Sequence, residues 1–239
     1  MAFISDPFFV MKNMINDFIN LFFPKVCLSC HEILLKDENT ICHNCLSDLP
    51  FTNFDLTKDN PVYETLSAIV PIEAATSLLF FNKEGNVQEL IHQLKYQNQQ
   101  EIGSLFGEIL AYKIKESPFV SKIDYIIPVP LHPKKIKKRG YNQLTKFGSA
   151  MSEILKIPYN ENVLTRVVNT TTQTKKTSYQ RRLNVDRAFA VSPDNQYHEK
   201  HFLLLDDMMT TGATLEACTE ELLKIPQAQV SVATIAFSL

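Results

Sequence analysis

The apolar positions of this chain fall into short unbroken runs separated by stretches with helical spacing. Phe8, Met11, Ile15, Phe18 and Phe22, with Met14, Ile19 and Phe23 beside them, form a wide stripe that predicts a helix over 7–23. Such a helix either docks on the protein or lies on a membrane surface, and its polar face is not rich in Lys or Arg, which weighs against the membrane. Residues 66–72 and 76–82 read as two strands. A turn at 82–86 leads into a helix through Leu90, Ile91 and Leu94 that ends near Lys95-Tyr96. A second helix over about 100–115 spaces Ile102, Leu105, Phe106, Ile109 and Leu110 for burial. Ile123 to Pro130 is a strand closed by prolines, and a further helix runs to about Lys156. The unalternating run Phe202–Leu205 predicts a strand buried on both faces, followed by a helix to Leu223 and a last strand over Val230–Phe237. Strands alternating with helices predict an α/β fold with a central, mainly parallel sheet flanked by helices.

With 239 residues the chain can bury a substantial core, as one main domain with a small appendage. The net charge of −2 carries no global nucleic-acid signature; the cations are clustered instead. No apolar run reaches membrane-spanning length. The first residues lack a basic region and carry Asp6, Lys12 and Asp17 within the apolar stretch, which argues against a cleaved signal peptide. On that reading the cysteines are thiolates or metal ligands rather than disulfides.

Two Cys-x-x-Cys pairs, Cys27/Cys30 and Cys42/Cys45, can each form a knuckle whose sulfurs converge. Together they complete a tetrahedral four-thiolate site with no open position, so the metal would be structural. Zinc is the default ion, with iron the alternative. His31 and His43 stand beside ligands and read as bystanders, and Cys218 as a buried apolar residue.

Three further stretches carry charge or hydroxyls. Five cations lie between Lys134 and Arg139 in the segment 131–143, fixed between the turn at Pro128–Pro130 and Gly140. Their counter-ion would be a pyrophosphate or a nucleic-acid backbone. The segment 161–187 is polar and basic, with the length of a functional loop. Finally, Asp206 and Asp207 follow the buried run, ahead of Met208, Met209, Thr210, Thr211, Gly212, Ala213 and Thr214. Backbone N–H groups at such a turn, with three threonine hydroxyls, can wrap a phosphate at a helix N-terminus. The two carboxylates would repel it and so face sugar hydroxyls or a divalent cation. Lys95 ends an otherwise apolar helix face, either as a solvated residue or as part of this site. There is no Gly-rich Walker loop and no dinucleotide fingerprint.

Residues 202–214 resemble the phosphoribosyl-pyrophosphate (PRPP) motif of type I phosphoribosyltransferases. Taken with the four cysteines, Leu94-Lys95-Tyr96, Pro128 through Gln143, and Thr170, Gln173, Arg181 and Asn184, the chain is similar nearly end to end to the ComF late-competence family. With the amphipathic helix of the periodicity assigned to 1–24, the resemblance implies a zinc ribbon over 25–50 and a phosphoribosyltransferase-like domain over 62–239. It implies that residues 206–214 bind PRPP with Mg²⁺, and that 131–142 and 166–185 act as pyrophosphate and hood loops. Lys95, Tyr96, Arg139, Gly140, Asn142, Gln143, Gln173, Arg181 and Asn184 would then contact pyrophosphate or a DNA backbone. Asn98 stands where the family often has Gly, Lys135 where Arg is common, and Lys176 at a position often apolar. The implied setting is natural transformation: a cytoplasmic protein, free or peripheral at the inner membrane face, handling incoming single-stranded DNA alongside a competence DNA helicase. The alternative is an active phosphoribosyltransferase with a nitrogenous acceptor; no general base stands out. Tyr141 and Tyr179 are candidates to stack on bases.

Overall fold

The computed structural model of the chain describes residues 22–83, 85–167 and 188–238. The helix expected over 7–23, and Gln173, Lys176, Tyr179, Arg181 and Asn184, fall outside these residues except for the helix's last two positions. The chain divides into two compact units, Met1–Leu49 and Pro50–Leu239.

The described part of the first unit has almost no apolar core: Cys27, Ile41, Cys42 and Leu49 are its buried apolar residues. An antiparallel bridge pairs Val26 with Ile33 around the first knuckle. Cys42 caps the short helix α1 (His43–Ser47). The Glu38 carboxylate accepts backbone N–H bonds from Leu35 and His43, both at 2.7 Å, and these bonds hold its pKa below the usual carboxylate range.

The second unit is built on a four-stranded sheet in the order β1 (Ala75–Phe80), β6 (Gln229–Phe237), β5 (His201–Met209), β2 (Tyr125–Pro128). Every pairing is parallel, so the strands lie under helices and their residues are buried almost throughout. Among the described residues the unit's α-helices are α2 (Pro61–Ser67), α3 (Asn86–Tyr96), α4 (Glu101–Ile114), α5 (Pro133–Arg139), α6 (Leu144–Leu155) and α7 (Ala213–Leu222). A separate antiparallel pair, β3 (Leu164–Arg166) and β4 (Phe189–Val191), closes the ends of the 161–187 segment onto each other. α4 and α6 pack closely because Gly107 lets them: a Cβ there would lie 2.4 Å from the Phe147 carbonyl oxygen.

Three local expectations change. Residues 66–72 form no strand: Pro61 opens α2, the Asn60 side chain accepts the Tyr63 N–H at 3.0 Å, and the chain turns after Ser67. A short buried apolar run has no periodicity to tell strand from turn. The basic run is not loop but the helix α5, with His132 Nδ1 accepting the Lys134 N–H and Pro133 in the first turn. The strand before the hydroxyl motif does not stop at Leu205; it continues through both carboxylates to Met209, paired with β6.

Candidate ligand site and metal centre

Because Asp206 and Asp207 are successive residues of one strand, their side chains leave opposite faces of the sheet. Asp207 meets the elements on the α3 and α6 side. Lys95 Nζ lies 2.6 Å from its Oδ1, and Gln143 Nε2 donates to its Oδ2. The same Gln143 accepts from the Arg139 guanidinium through Oε1, and that guanidinium sits 5.1 Å above the Tyr96 ring. Lys135 belongs to the same cluster: burial, then the charges of Arg166, Arg139 and Lys95, lower its pKa, while Asp207 opposes them.

Asp206 is buried on the other side. One of its oxygens accepts the Asp207 N–H at 2.8 Å. Burial, and next the charge of Asp207, push its carboxyl up to about 8, against Lys95 and Arg166. Arg166, at the end of β3, stacks at 5.1 Å on Phe189 of β4. Burial lowers its pKa; Cys218 and Asp206 act in the opposite sense. The Cys218 thiol is fully buried and held neutral by burial and by Asp206.

Local folding explains how these groups converge. The i, i+4 pair Lys135 and Arg139 lies on the half-buried face of α5, while Lys134, Lys137 and Lys138 are exposed. The helix stops at Gly140. Tyr141 then donates its hydroxyl to the Leu94 carbonyl at 2.6 Å, fixing the α5–α6 junction against the end of α3, beside Lys95. That bond fixes the hydroxyl end of Tyr141 and leaves the ring half-buried. Asn142 is used internally as well, donating to Val129 O and accepting the Leu144 N–H. After α3, Asn98 adopts φ 58°, the left-handed region in which asparagine and glycine replace one another most readily.

Beyond the acids, the Ser238 N–H donates to the Met209 carbonyl and ends the strand pairing. Met208 is half-buried and Met209 buried, whereas Thr210, Thr211 and Thr214 are exposed. Gly212 turns the chain at φ 75°, and a Cβ there would lie 3.0 Å from Leu66 Cδ2. α7 begins immediately afterwards with no side chain capping it. The strand end therefore offers backbone N–H groups, hydroxyls and carboxylates beside the cations Lys95, Lys135, Arg139 and Arg166. A ligand bearing both phosphate and vicinal hydroxyls matches that set.

The structure thus brings together Lys95, Tyr96, Arg139, Gln143, Asp206 and Asp207. Sequence reasoning placed Lys135 and Arg166 inside the two basic segments without singling either out as a contact. Lys135 was legible from its four-residue spacing to Arg139, whereas the approach of Arg166 to Asp206 depends on the β3–β4 pairing.

In the first unit the sulfurs of Cys27, Cys30, Cys42 and Cys45 all lie within 4.8 Å of one another. Four sulfurs bound at 2.3 Å around one tetrahedral zinc are roughly 3.8 Å apart, the separation found between Cys30 and Cys42, 3.8 Å. Cys27 Sγ accepts N–H bonds from Ser29 and Cys42, and Cys42 Sγ accepts from Cys45. Burial raises the Cys27 thiol, but backbone N–H groups of Cys30, Cys42 and Ser29 outweigh it and bring it down to about 7. Cys45 is pushed up to about 12, by burial first. Neighbouring thiols of this kind ionise together only around a cation, so the donor set fits a metal. His43 faces Glu38 and Asp37 rather than the sulfurs. Among the described residues no helix is long and apolar enough to cross a membrane.

The phosphoribosyl transferase domain family matches residues 95–238, from Lys95 through the last strand. The chain is 31% identical over 147 residues to Competence protein F of Haemophilus influenzae, covering 60% of this chain and 64% of that one. It is 27% identical over 215 residues to the DNA utilization protein YhgH of Escherichia coli O157:H7, covering 87% and 88%. Competence protein ComFC of Bacillus subtilis is 27% identical over 206 residues, with coverage of 84% and 78%.

Proposed function

The chain belongs to the phosphoribosyl transferase domain family, and on that premise we propose that it is a ComF-type protein handling incoming single-stranded DNA, with a Mg²⁺-dependent PRPP-type ligand site at residues 206–214. The observation that carries the ligand assignment is the convergence of four cations on two strand-end carboxylates beside the glycine turn. Diol oxygens of the ribose would face Asp207, with Asp206 supporting it from the other face through the Asp207 N–H, the 5′-phosphate the N–H groups and hydroxyls of 210–214, and the pyrophosphate Lys95, Lys135 and Arg139. Mg²⁺, when bound, would offset the charge of the diphosphate. Zinc at the four cysteines would hold the ribbon.

The DNA assignment draws on the names of the relatives, competence and DNA utilization proteins, and on α5. This helix presents Lys135 and Arg139 to the pocket and Lys134, Lys137 and Lys138 to solvent, so one element serves a small anion and a polyanion on different faces. The cytoplasmic setting and a competence helicase as partner belong to the same reading. Phosphoribosyl transfer to a nitrogenous acceptor is the second reading, favoured by the cations placed to stabilise a departing pyrophosphate.

The two faces of α5 separate by mutation. Changing Lys134, Lys137 and Lys138 to Gln lowers single-strand affinity and reduces the log–log salt slope by about two, at ~0.7 per contact, with PRPP affinity kept. Changing Lys135 and Arg139 to Gln weakens PRPP instead. An unchanged salt slope in the first variant removes α5 from the DNA surface. Release of pyrophosphate from PRPP with any base or amine, abolished by Asp207→Asn, establishes turnover.

A further inference from the structure

Both oxygens of Asp207 are already engaged by the chain itself, Oδ1 by the Lys95 ammonium at 2.6 Å and Oδ2 by the Gln143 amide. Asp207 is 9% exposed and Lys95 20% exposed, so the pair is close to dry. Asp206 offers no substitute: it is buried, and one oxygen holds the Asp207 N–H. Three more cations, Lys135, Arg139 and Arg166, surround the two acids. A bare divalent cation entering this cluster must displace one positive charge while approaching three others. A diphosphate meets the opposite field.

Resting on the reading of this pocket as PRPP-type, we propose that Lys95 is an exchangeable counter-ion. In the free protein it closes Asp207 to divalent cations. When the diphosphate enters, Lys95 crosses to it and frees Asp207 for the sugar hydroxyls and the metal that the diphosphate brings. Lys95 can make that move because it is the penultimate residue of α3 on a four-carbon stem, whereas Gln143 is buried and held by Arg139. The consequence is an order of binding: the anion and its metal enter together, and the metal does not enter first. Lys95 is thus a positioning residue that sets which ligand form the site accepts.

The test measures Mn²⁺ binding to the full, zinc-loaded chain from the free-ion signal, alone and with inorganic pyrophosphate, and PRPP binding by calorimetry with Mg²⁺. An opposite charge at this distance changes the occupancy of a carboxylate by about tenfold or more. Wild-type protein is expected to bind Mn²⁺ weakly alone and about tenfold more tightly with pyrophosphate. Lys95→Met is expected to bind Mn²⁺ alone about tenfold more tightly than wild type and PRPP about tenfold more weakly. Lys95→Arg keeps the charge and so keeps bare Mn²⁺ out. Adding Asp207→Asn to Lys95→Met removes the gain, placing the ion on Asp207. A misfolded variant loses both affinities, so the opposed signs exclude that explanation. Unchanged or weaker Mn²⁺ binding in Lys95→Met, or wild-type Mn²⁺ affinity indifferent to pyrophosphate, overturns the exchange while leaving the pocket intact. Wild-type protein that binds neither PRPP nor pyrophosphate sinks the pocket itself, and the exchange with it.

Discussion

Gly107→Ala sets two effects of opposite sign against each other. In a helix interior, alanine is favoured over glycine by about 1 kcal/mol, so propensity alone has this change stabilise α4. The tertiary structure reverses the sign. The added Cβ would lie 2.4 Å from the Phe147 carbonyl oxygen and 3.0 Å from Ala150 Cβ. The first of these is helix backbone and cannot rotate away, so α6 must shift. Overpacking of this kind destabilises by roughly 1–3 kcal/mol, and after the propensity gain a net loss of up to about 2 kcal/mol remains, nearer the upper figure because the clash is with backbone. The displacement also reaches the site, because Gln143 lies one turn before Phe147 on α6 and donates to Asp207. Urea denaturation of wild type and variant gives the stability difference, and PRPP titration reports the site. Gly103→Ala is the comparison: its Cβ would stand 3.3 Å from Phe147 N, so its loss is smaller. A Gly107→Ala protein more stable than wild type refutes the reasoning, since propensity would then have outweighed the contact.

Asp206→Asn tests the buried carboxyl. Its pKa is raised from the ordinary 3.8 to about 8, so the native state keeps a proton that the unfolded chain has already released. The stability that this group contributes is therefore fully present below about pH 4 and is lost as pH rises toward about 8. The amide has no such dependence, so the variant gains on wild type by a few kcal/mol, ~1.4 per pH unit at most, between those limits. Equilibrium unfolding at pH 5 and pH 8 checks this, and a stability difference that does not move with pH contradicts it. Cys42→Ser removes one sulfur while its hydroxyl can still cap α1, so the change isolates the metal ligand. With ~10–16 kcal/mol of metal affinity coupled to ribbon folding, elemental analysis should show zinc lost and proteolysis should open the ribbon. Retention of stoichiometric zinc would reject the four-thiolate assignment.

The sequence by itself determined the features that depend on local spacing and residue chemistry. The unalternating run Phe202–Leu205 meant a strand covered on both faces, and β5 is buried to Asp207. Two Cys-x-x-Cys knuckles meant converging sulfurs, and four sulfurs converge. Glycine in the hydroxyl motif meant a tight turn, and Gly212 sits at φ 75°. What depended on distant partners was decided only by the fold. Residues 66–72 were apolar enough for a strand, yet the Asn60 cap and Pro61 placed their first part at the end of a helix. The basic run became a helix with two faces, which turned Lys135 inward. Most of all, one carboxylate of the Asp206-Asp207 pair received Lys95 from more than a hundred residues away, while its neighbour was buried beside Arg166. Adjacent acids look equivalent in a sequence; a strand sends them to opposite faces, where different helices and different cations give them different chemistry.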